Sequence, residues 1–164
     1  MALQDCGDLV GRVERYLQAH HTMTIATSAS AGNAPHAAQV FYAMDDQLRL
    51  IFLSSPASLH AQHIGREAPV AVTVGEEYDE WPLIQGVQLW GRARLLKGAA
   101  KAKALTVYLR RFPFVEDLFK DPLRSLKLGK VGVYQVEPAR AGFTDNTSGV
   151  FGRETVDLMG EYQG

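Results

Sequence analysis

Alternating hydrophobic and polar residues predict a chain built mainly of β-strands. Successive side chains of a strand point to opposite faces, so a two-residue period indicates a strand with one buried face. The segment 86–97 shows this best, since Val87, Leu89 and Ala93 alternate with polar residues such as Gln88 and Arg92. Strands are predicted at 22–28, 35–43, 48–53, 69–74, 86–97 and 130–137, the last ending at Pro138, with a short seventh strand at 141–146.

A period of three to four residues predicts helices between and before these strands. Leu9, Val13 and Leu17 form one apolar stripe in a predicted N-terminal helix over 5–20. Further helices are predicted at 57–65 and 99–112, and the segment 113–128 reads as loop with a helical turn or two. The polar tail at 154–164 is expected to be loose.

Short connections decide how the predicted strands pair. The turns at 29–34 and 44–47 are too short for a crossover, so the strands that they join must be antiparallel. We therefore predict a mainly β fold with helices (α+β), a six- to seven-stranded antiparallel split β-barrel with peripheral helices. No linker or repeat divides the sequence, which predicts a single domain over 1–164 with the N-terminal helix and the polar tail at its ends.

Composition excludes several functional classes. The 164 residues are 46% hydrophobic and carry a formal net charge of −1, so no basic field exists to recruit nucleic acid or an anionic membrane. The single cysteine, Cys6, cannot form an internal disulfide, and no apolar run is long enough to span a membrane. These features predict a soluble cytoplasmic protein.

The segment LRLIFLSSPASLHAQHI, residues 48–64, carries the most informative chemistry. A hydrophobic strand ends in Ser54, Ser55 and Ser58, and a short helix is predicted to begin there. Free backbone N–H groups at a helix start, together with serine hydroxyls, are typical of a phosphate site. The alternative is a simple helix cap, with Ser55 as N-cap and Pro56 at the first helical position. A phosphate also needs a cation, and His60 is the nearest candidate.

Other candidate sites are weaker. His60 and His63 lie three residues apart, a spacing that can place two metal ligands on one helix face, but no third ligand has a matching spacing, so no metal site is predicted. Trp90 lies among polar residues on the outward face of its strand, which favours a subunit contact. Phosphate-loop, dinucleotide and hydrolase-elbow motifs are absent.

The order of these elements resembles the pyridoxamine 5′-phosphate oxidase-like FMN-binding split barrels. The resemblance covers roughly 22–97 and is carried by the strand at 35–42, the strand at 48–53, then SSPASLHAQHI, PVAVTV and IQGVQLWGRARLL. The later segment FTDNTSGVFGR is similar to the C-terminal motif of a small uncharacterised branch of that superfamily. Each motif alone is degenerate, whereas their order and spacing together are specific.

This resemblance implies a homodimer with two FMN sites at the subunit interface. In such proteins the second strand presents its backbone to the flavin ring, and the residues after the third strand meet the phosphate and the ribityl chain. A glutamine from the fifth strand or the loop before it, usually of the other subunit, completes the site. The cofactor-binding residues implied here are Gln39, Val40, Phe41, Tyr42, Ser54, Ser55, Ser58 and His60, with either Gln85 or Gln88 as the glutamine.

The cations of the true oxidases are missing from this sequence. Their early second-strand arginine is replaced by Ala38, their Arg-Lys pair by Leu59-His60, and their substrate-binding lysine by Ala43. Each lost cation removes a contact worth about 1.5–3 kcal/mol. Oxidation of pyridoxamine 5′-phosphate is therefore not expected, and cations for the FMN phosphate must come from elsewhere. Candidates are Arg66, Lys130 and Arg153.

Three functions follow from the resemblance. The first is an FMN-dependent oxidoreductase or flavin reductase-like protein with an unknown substrate. The second is a non-catalytic flavin-binding or electron-carrier module. The third is a split barrel that binds haem or a deazaflavin, with His20, His21, His36 and His63 as unassigned histidines for a haem.

Overall fold

Seven antiparallel strands form one sheet, and six of them close into a barrel. The structure, a computed structural model, describes residues 2–28, 34–120, 130–149 and 152–159. The sheet order is β3-β2-β1-β4-β5-β6-β7, and an additional pairing of β3 with β6 closes the barrel, so the predicted fold class is confirmed. The strands are β1 Thr22–Thr27, β2 His36–Met44, β3 Leu50–Ser54, β4 Glu67–Gly75, β5 Gln85–Leu95, β6 Gly132–Asp145 and β7 Arg153–Asp157.

In the described part of the chain, four α-helices lie around the barrel. They are α1 Ala2–Ala19, α2 Leu59–Ile64, α3 Gly98–Arg111 and α4 Pro113–Lys120. The predicted helices are confirmed, and α4 is the helical turn or two expected within 113–128. The rest of that segment, 121–128, lies outside the described residues, as does most of the predicted turn at 29–34. Within the described part of the chain, the helices are too short or too polar to cross a membrane.

The alternation of the strands fills the barrel with apolar side chains. Ile25, Phe52 and Leu89 are buried inside it, and α1 adds Val13 and Leu17 to the same core. The hydroxyl of Tyr42 donates to the carbonyl of Leu17 at 2.6 Å, which ties β2 to the end of α1. The apolar stripe of α1 is thus explained by burial against the barrel.

A second apolar cluster lies on the outer face of β2, β3 and β6, where α3 and α4 cover it. Ala43, Ile51 and Val133 of the sheet pack there with Tyr108 and Phe112. Strand residues of both faces are therefore buried in this part of the barrel, which explains the almost continuous hydrophobic run at 50–53.

The prediction of two separate strands at 130–137 and 141–146 was wrong. One continuous strand, β6, covers both segments and pairs with β5 throughout. The register shifts by one residue, because Trp90 pairs with Arg140 while Gly91 pairs with Pro138. This β-bulge accommodates the proline, which cannot donate to a regular ladder. The first half of β6 then pairs with β3 and the second half with β7.

The expectation of a loose polar tail from 154 was also wrong for its first part. Residues 153–157 form β7, which pairs with β6 from Arg140 to Thr144. Val156 is buried, whereas Arg153, Glu154 and Thr155 are exposed. An edge strand with one buried side chain has little hydrophobic signal in the sequence, and the residues after 159 lie outside the described part of the chain.

We predict that Gly91→Ala destabilises the barrel by about 1–3 kcal/mol, because β6 approaches β5 too closely at the bulge for a side chain. A Cβ atom at residue 91 would lie 2.7 Å from the Cα of Pro138. Urea denaturation followed by circular dichroism measures the change. Gly75→Ala is the matched control, since its Cβ would meet its nearest neighbour at 3.9 Å. Equal stability of the two variants would contradict the role assigned to the bulge.

Candidate cofactor site

Two serine hydroxyls and a buried imidazole meet where β3 ends. Nε2 of His60 lies 2.7 Å from Oγ of Ser54 and 3.1 Å from Oγ of Ser58, and the two hydroxyls are 3.0 Å apart. Ser54 is the last residue of β3, whereas Ser58 and His60 stand at the start of α2. We call these three residues the serine–histidine cluster. Three of the predicted site residues are therefore brought together.

The helix cap is Ser58, so the prediction that Ser55 caps the helix with Pro56 at its first position was wrong. Oγ of Ser58 accepts from the amide of Ala61, and α2 begins one residue later. Ser55 instead forms the preceding turn, where its hydroxyl accepts from the amide of Ala57 at 3.2 Å. Because the turn uses these amides internally, the side chains rather than the six-residue helix supply the polar groups of the site.

Two further histidines border the cluster. The ring of His36, on β2, stacks against that of His60 with 5.9 Å between centroids, and the ring of His63 lies 6.1 Å from His36. Nδ1 of His63 is 3.1 Å from Oγ1 of Thr27. Sequence reasoning did not connect His36 to the cluster, because 24 residues separate it from His60.

The imidazole of His60 is held in its neutral form. Burial lowers its pKa below the usual 6.5, and the neighbouring His36 and His63 lower it further. Before a ligand binds, His60 therefore does not supply the positive charge expected of it. It provides one ring nitrogen that donates or accepts a hydrogen bond, according to its tautomer.

β2 has an edge that no strand in the described part of the chain covers over most of its length. β1 pairs with residues 36–41 on one side, but β3 pairs only with Tyr42, Ala43 and Met44 on the other. The amide of Tyr42 donates toward β1, to the carbonyl of His21 at 2.9 Å. Ladder bonds alternate sides along an antiparallel strand, so Ala37 and Gln39 direct backbone donors and acceptors to the open side.

The four residues predicted on β2 differ in what they offer. Phe41 is 50% exposed, and its ring packs edge-on against Phe112 at 5.6 Å. Gln39 is exposed, and its side-chain amide donates to the hydroxyl of Thr22. Val40 is half-buried, and the side chain of Tyr42 belongs to the core. The backbone of this segment, rather than its side chains, is what a ligand can reach.

The two candidate glutamines are now distinguishable. The side-chain amide of Gln85 donates to Oδ1 of Asp145 at 3.0 Å, so it is already engaged. Burial disfavours the charged form of Asp145, but hydrogen bonds from Thr147 and Gln85 and the charge of Arg12 outweigh it and lower the carboxyl pKa. By contrast, Oε1 of Gln88 is buried without a partner among the described residues. A buried acceptor without a partner is unfavourable by about 1–3 kcal/mol, which singles out Gln88.

Trp90 stands two residues from Gln88 on the same face of β5. Its ring lies between the guanidinium groups of Arg140 and Arg153, at 5.6 and 5.4 Å from their Cζ atoms. It remains 37% exposed despite these contacts. This face therefore combines an aromatic surface, two cations and an unpaired buried acceptor.

The three cations considered for the FMN phosphate lie in different parts of the structure. Arg153 is held at Trp90, and Arg66 lines a different groove together with Arg94 and Lys97. Lys130 lies two residues before Gly132, which pairs with Ser54 of the cluster. Among the described residues, no arginine or lysine forms a hydrogen bond or ion pair with the serine–histidine cluster, and Lys130 is the cation nearest to it along the ladder.

The positions where the true oxidases carry cations hold other groups here. Ala43 is buried under α3 beside Tyr108, so an apolar cluster occupies that position. Ala38 is half-buried opposite Ile25, and Leu59 is 49% exposed.

The described residues do not form a metal site. Within the ranges that the structure describes, no group of three or more His, Cys, Asp or Glu side chains is placed to hold a metal ion.

The described residues offer the kinds of hydrogen-bonding groups that a flavin mononucleotide needs. Its phosphate requires hydrogen-bond donors. The hydroxyl of Ser54 is one, whereas that of Ser58 donates to the carbonyl of Ser55 at 2.8 Å and would have to turn from it. The stacked His36 joins the cluster to the open edge of β2. The flavin ring edge carries both N–H and C=O groups, which match the alternating backbone groups of Ala37 and Gln39. Among the described residues, no positively charged side chain contacts the cluster.

Comparison with known proteins identifies the family of the chain. The sequence profile described as pyridoxamine 5′-phosphate oxidase matches residues 9–144. A UPF0306 protein of Cronobacter sakazakii is 32% identical over 155 residues, which cover 94% of this chain and 98% of that protein.

Solved structures share the fold at low sequence identity. A haem-binding protein from Mycobacterium smegmatis has a TM-score of 0.65 at 16% identity, and the match covers 87% of this chain but only 55% of that one. A FAD-binding protein from Mesorhizobium loti has a TM-score of 0.59 at 14% identity, covering 90% and 94% of the two chains. The chain therefore belongs to the pyridoxamine 5′-phosphate oxidase family, as a relative of the UPF0306 proteins and not as one of the true oxidases.

Proposed function

We propose that this protein binds FMN and serves as a flavin-dependent oxidoreductase or flavin reductase. The observation that carries the proposal is the position of the serine–histidine cluster at the end of β3, next to the uncovered edge of β2. Family membership and the fold shared with a FAD-binding protein support a flavin. The true oxidase reaction is not proposed, because Ala43 offers no charge to a substrate phosphate.

Each group of residues has a separate task in this proposal. Ser54 donates to the phosphate with His60 as a second partner, and Ser58 joins them by turning its hydroxyl away from the carbonyl of Ser55. The backbone of Ala37 and Gln39 hydrogen-bonds the ring edge, and Phe41 shields the site from water on the outward side. Gln88 of the partner subunit is the glutamine that reaches the ring, since its Oε1 has no partner among the described residues. When bound, FMN itself supplies the redox chemistry, and the protein orients it.

Replacing Ser54 tests the phosphate contacts. Ser54→Ala removes a hydrogen bond to a charged group, worth about 1.5 kcal/mol or more, so FMN affinity is expected to fall about tenfold. Quenching of flavin fluorescence during titration of the apoprotein measures the change. Ser55→Ala is the matched control, because Ser55 is adjacent but bonds only within its turn. Equal affinities of the two variants, or no FMN binding by the unchanged protein, would refute the assignment.

The pH dependence of binding tests His60. A phosphate beside the imidazole favours its protonated form, so its pKa rises from the lowered value of the free protein. Binding then takes up a proton, and FMN affinity is expected to increase as the pH falls from the raised pKa of the complex toward the lowered pKa of the free protein. Riboflavin, which lacks the phosphate, is expected to bind without this dependence. The His60→Gln variant is expected to lose it for FMN too, and its persistence in that variant would rule out His60 as the titrating group.

We also infer a homodimer that shares its two sites across the Trp90 face. Trp90 is exposed next to the unpaired Gln88, as expected if a second subunit covers this face. Sedimentation is expected to give twice the chain mass of 18.0 kDa. Trp90→Glu is expected to yield monomers with weakened FMN binding, whereas Phe114→Glu, at a more exposed aromatic on α4, is expected to leave the dimer intact. A monomeric unchanged protein would contradict the shared site.

Haem is the second candidate ligand. The rings of His36, His60 and His63 lie close together, and histidine nitrogen is a common axial ligand of haem iron. A haem-binding protein also shares the fold. Absorbance of protein titrated separately with FMN and haem distinguishes the candidates, because flavin and haem bands differ. Saturable haem uptake that His63→Ala abolishes, without FMN binding, would replace the first proposal by the second.

A further inference from the structure

A separate pocket lies on the outer face of the barrel, between α3 and strands β3, β5 and β6. Its volume is about 150 Å³, the size of a cavity that holds one benzene molecule. The inner lining is apolar and comes from Ile51, Leu96, Ala104 and Val107. A ligand of this size would have an apolar body rather than the extended shape of a nucleotide.

The rim of this pocket is positively charged. Arg49, Arg94 and Lys103 line it together with one acid, Asp45. Asp45 is fully engaged by Arg49, with Nε to Oδ2 at 2.7 Å, and also accepts two backbone amides. Glu137 lies 3.7 Å from Arg94, but both side chains are about half exposed, so this pair neutralises little. Lys103 forms no ion pair with the described residues. The pocket therefore has an excess of positive charge.

Gln135 holds Arg94 in place at the pocket. It is only 5% exposed, and its Oε1 accepts from Nε and Nη2 of Arg94 at 3.3 and 2.9 Å. Both hydrogen bonds come from the same guanidinium, so Gln135 fixes Arg94 with its charge at the rim of the pocket.

This pocket is distinct from the proposed flavin site. Ile51 and Ser54 point to opposite faces of β3, because side chains alternate along a strand. Ile51 contributes to the pocket under α3, whereas Ser54 belongs to the serine–histidine cluster. A ligand in the pocket and a cofactor at the cluster would therefore lie on opposite sides of the same strand.

We propose that this pocket binds a small organic carboxylate whose apolar body is about the size of a benzene ring. The carboxylate accepts from Arg94 and Lys103, and the body contacts Ile51 and Val107. Recognition rests on an anion at the rim above an apolar floor, a combination that neither inorganic phosphate nor a neutral ring satisfies. The proposal does not depend on flavin binding.

Benzoate is the probe that tests this site. Isothermal titration calorimetry of the whole protein, without added flavin, is expected to show saturable binding of one benzoate per chain. Benzamide has the same shape without the charge and is expected to bind at least about tenfold more weakly, since the charge-assisted contacts are lost. Inorganic phosphate is expected not to compete. Equal binding of benzamide, effective competition by phosphate, or no saturable binding of benzoate would each overturn the proposal.

Variants locate the binding. Arg94→Gln is expected to weaken benzoate binding about tenfold or more. Arg92→Gln is the matched control, because Arg92 lies on the same strand and face but pairs with Glu67 away from the pocket. Lys103→Gln, at an exposed helix position, provides a second test should Arg94→Gln fail to fold. Binding that survives both Arg94→Gln and Lys103→Gln would place benzoate elsewhere and refute the assignment. Ser54→Ala is expected to leave benzoate affinity unchanged, which separates this test from that of the flavin site.

Discussion

The pairing of β3 with β6 is the constraint on which both the barrel and the candidate site depend. All five residues of β3 pair with β6, but only three of them pair with β2. β3 therefore departs from β2 after Phe52, and this divergence leaves the edge of β2 uncovered. It also carries Ser54 to the open end of the barrel, where the chain turns into α2. The opening that could admit a cofactor is thus a direct consequence of how the barrel closes.

Closure of the barrel in turn requires β6 to pair with three other strands. The strand pairs with β5 along its length, with β3 in its first half and with β7 in its second half. The bulge opposite Gly91 bends the strand between these halves, and it also explains how Pro138 is tolerated. A single irregular point therefore connects barrel closure, the position of β7 and the face that carries Trp90.

Sequence reasoning anticipated those features that depend on local periodicity. Alternation along 86–97 identified β5 and its two faces, and the stripe of Leu9, Val13 and Leu17 identified α1. It misread Pro138 as a strand end, because a bulge depends on the neighbouring strand and leaves no local pattern. It missed β7 because that strand buries a single interior side chain, Val156.

The site was only partly predictable for the same reason. The cluster of Ser54, Ser58 and His60 lies within seven residues, and its segment was recognised from the sequence. His36 reaches His60 from a different strand, so its role required the positions of β2 and α2, which lie far apart in the chain. The low pKa of His60 also depends on neighbours from β2 and α2, which spacing alone does not reveal.

The choice of ligand in such a barrel rests on a small number of side chains. The open edge of β2 offers backbone groups whose chemistry does not depend on sequence, so it can accept any planar ring with matching donors and acceptors. Selection must then come from the residues after β3, where this chain has Leu59 and His60. An Arg-Lys pair would hold a phosphate through permanent charge, whereas a neutral His60 beside two hydroxyls would hold it only by gaining a proton or with a cation from outside the cluster. If the site binds FMN as proposed, phosphate binding is therefore conditional on that added charge, which distinguishes it electrostatically from the site of the true oxidases.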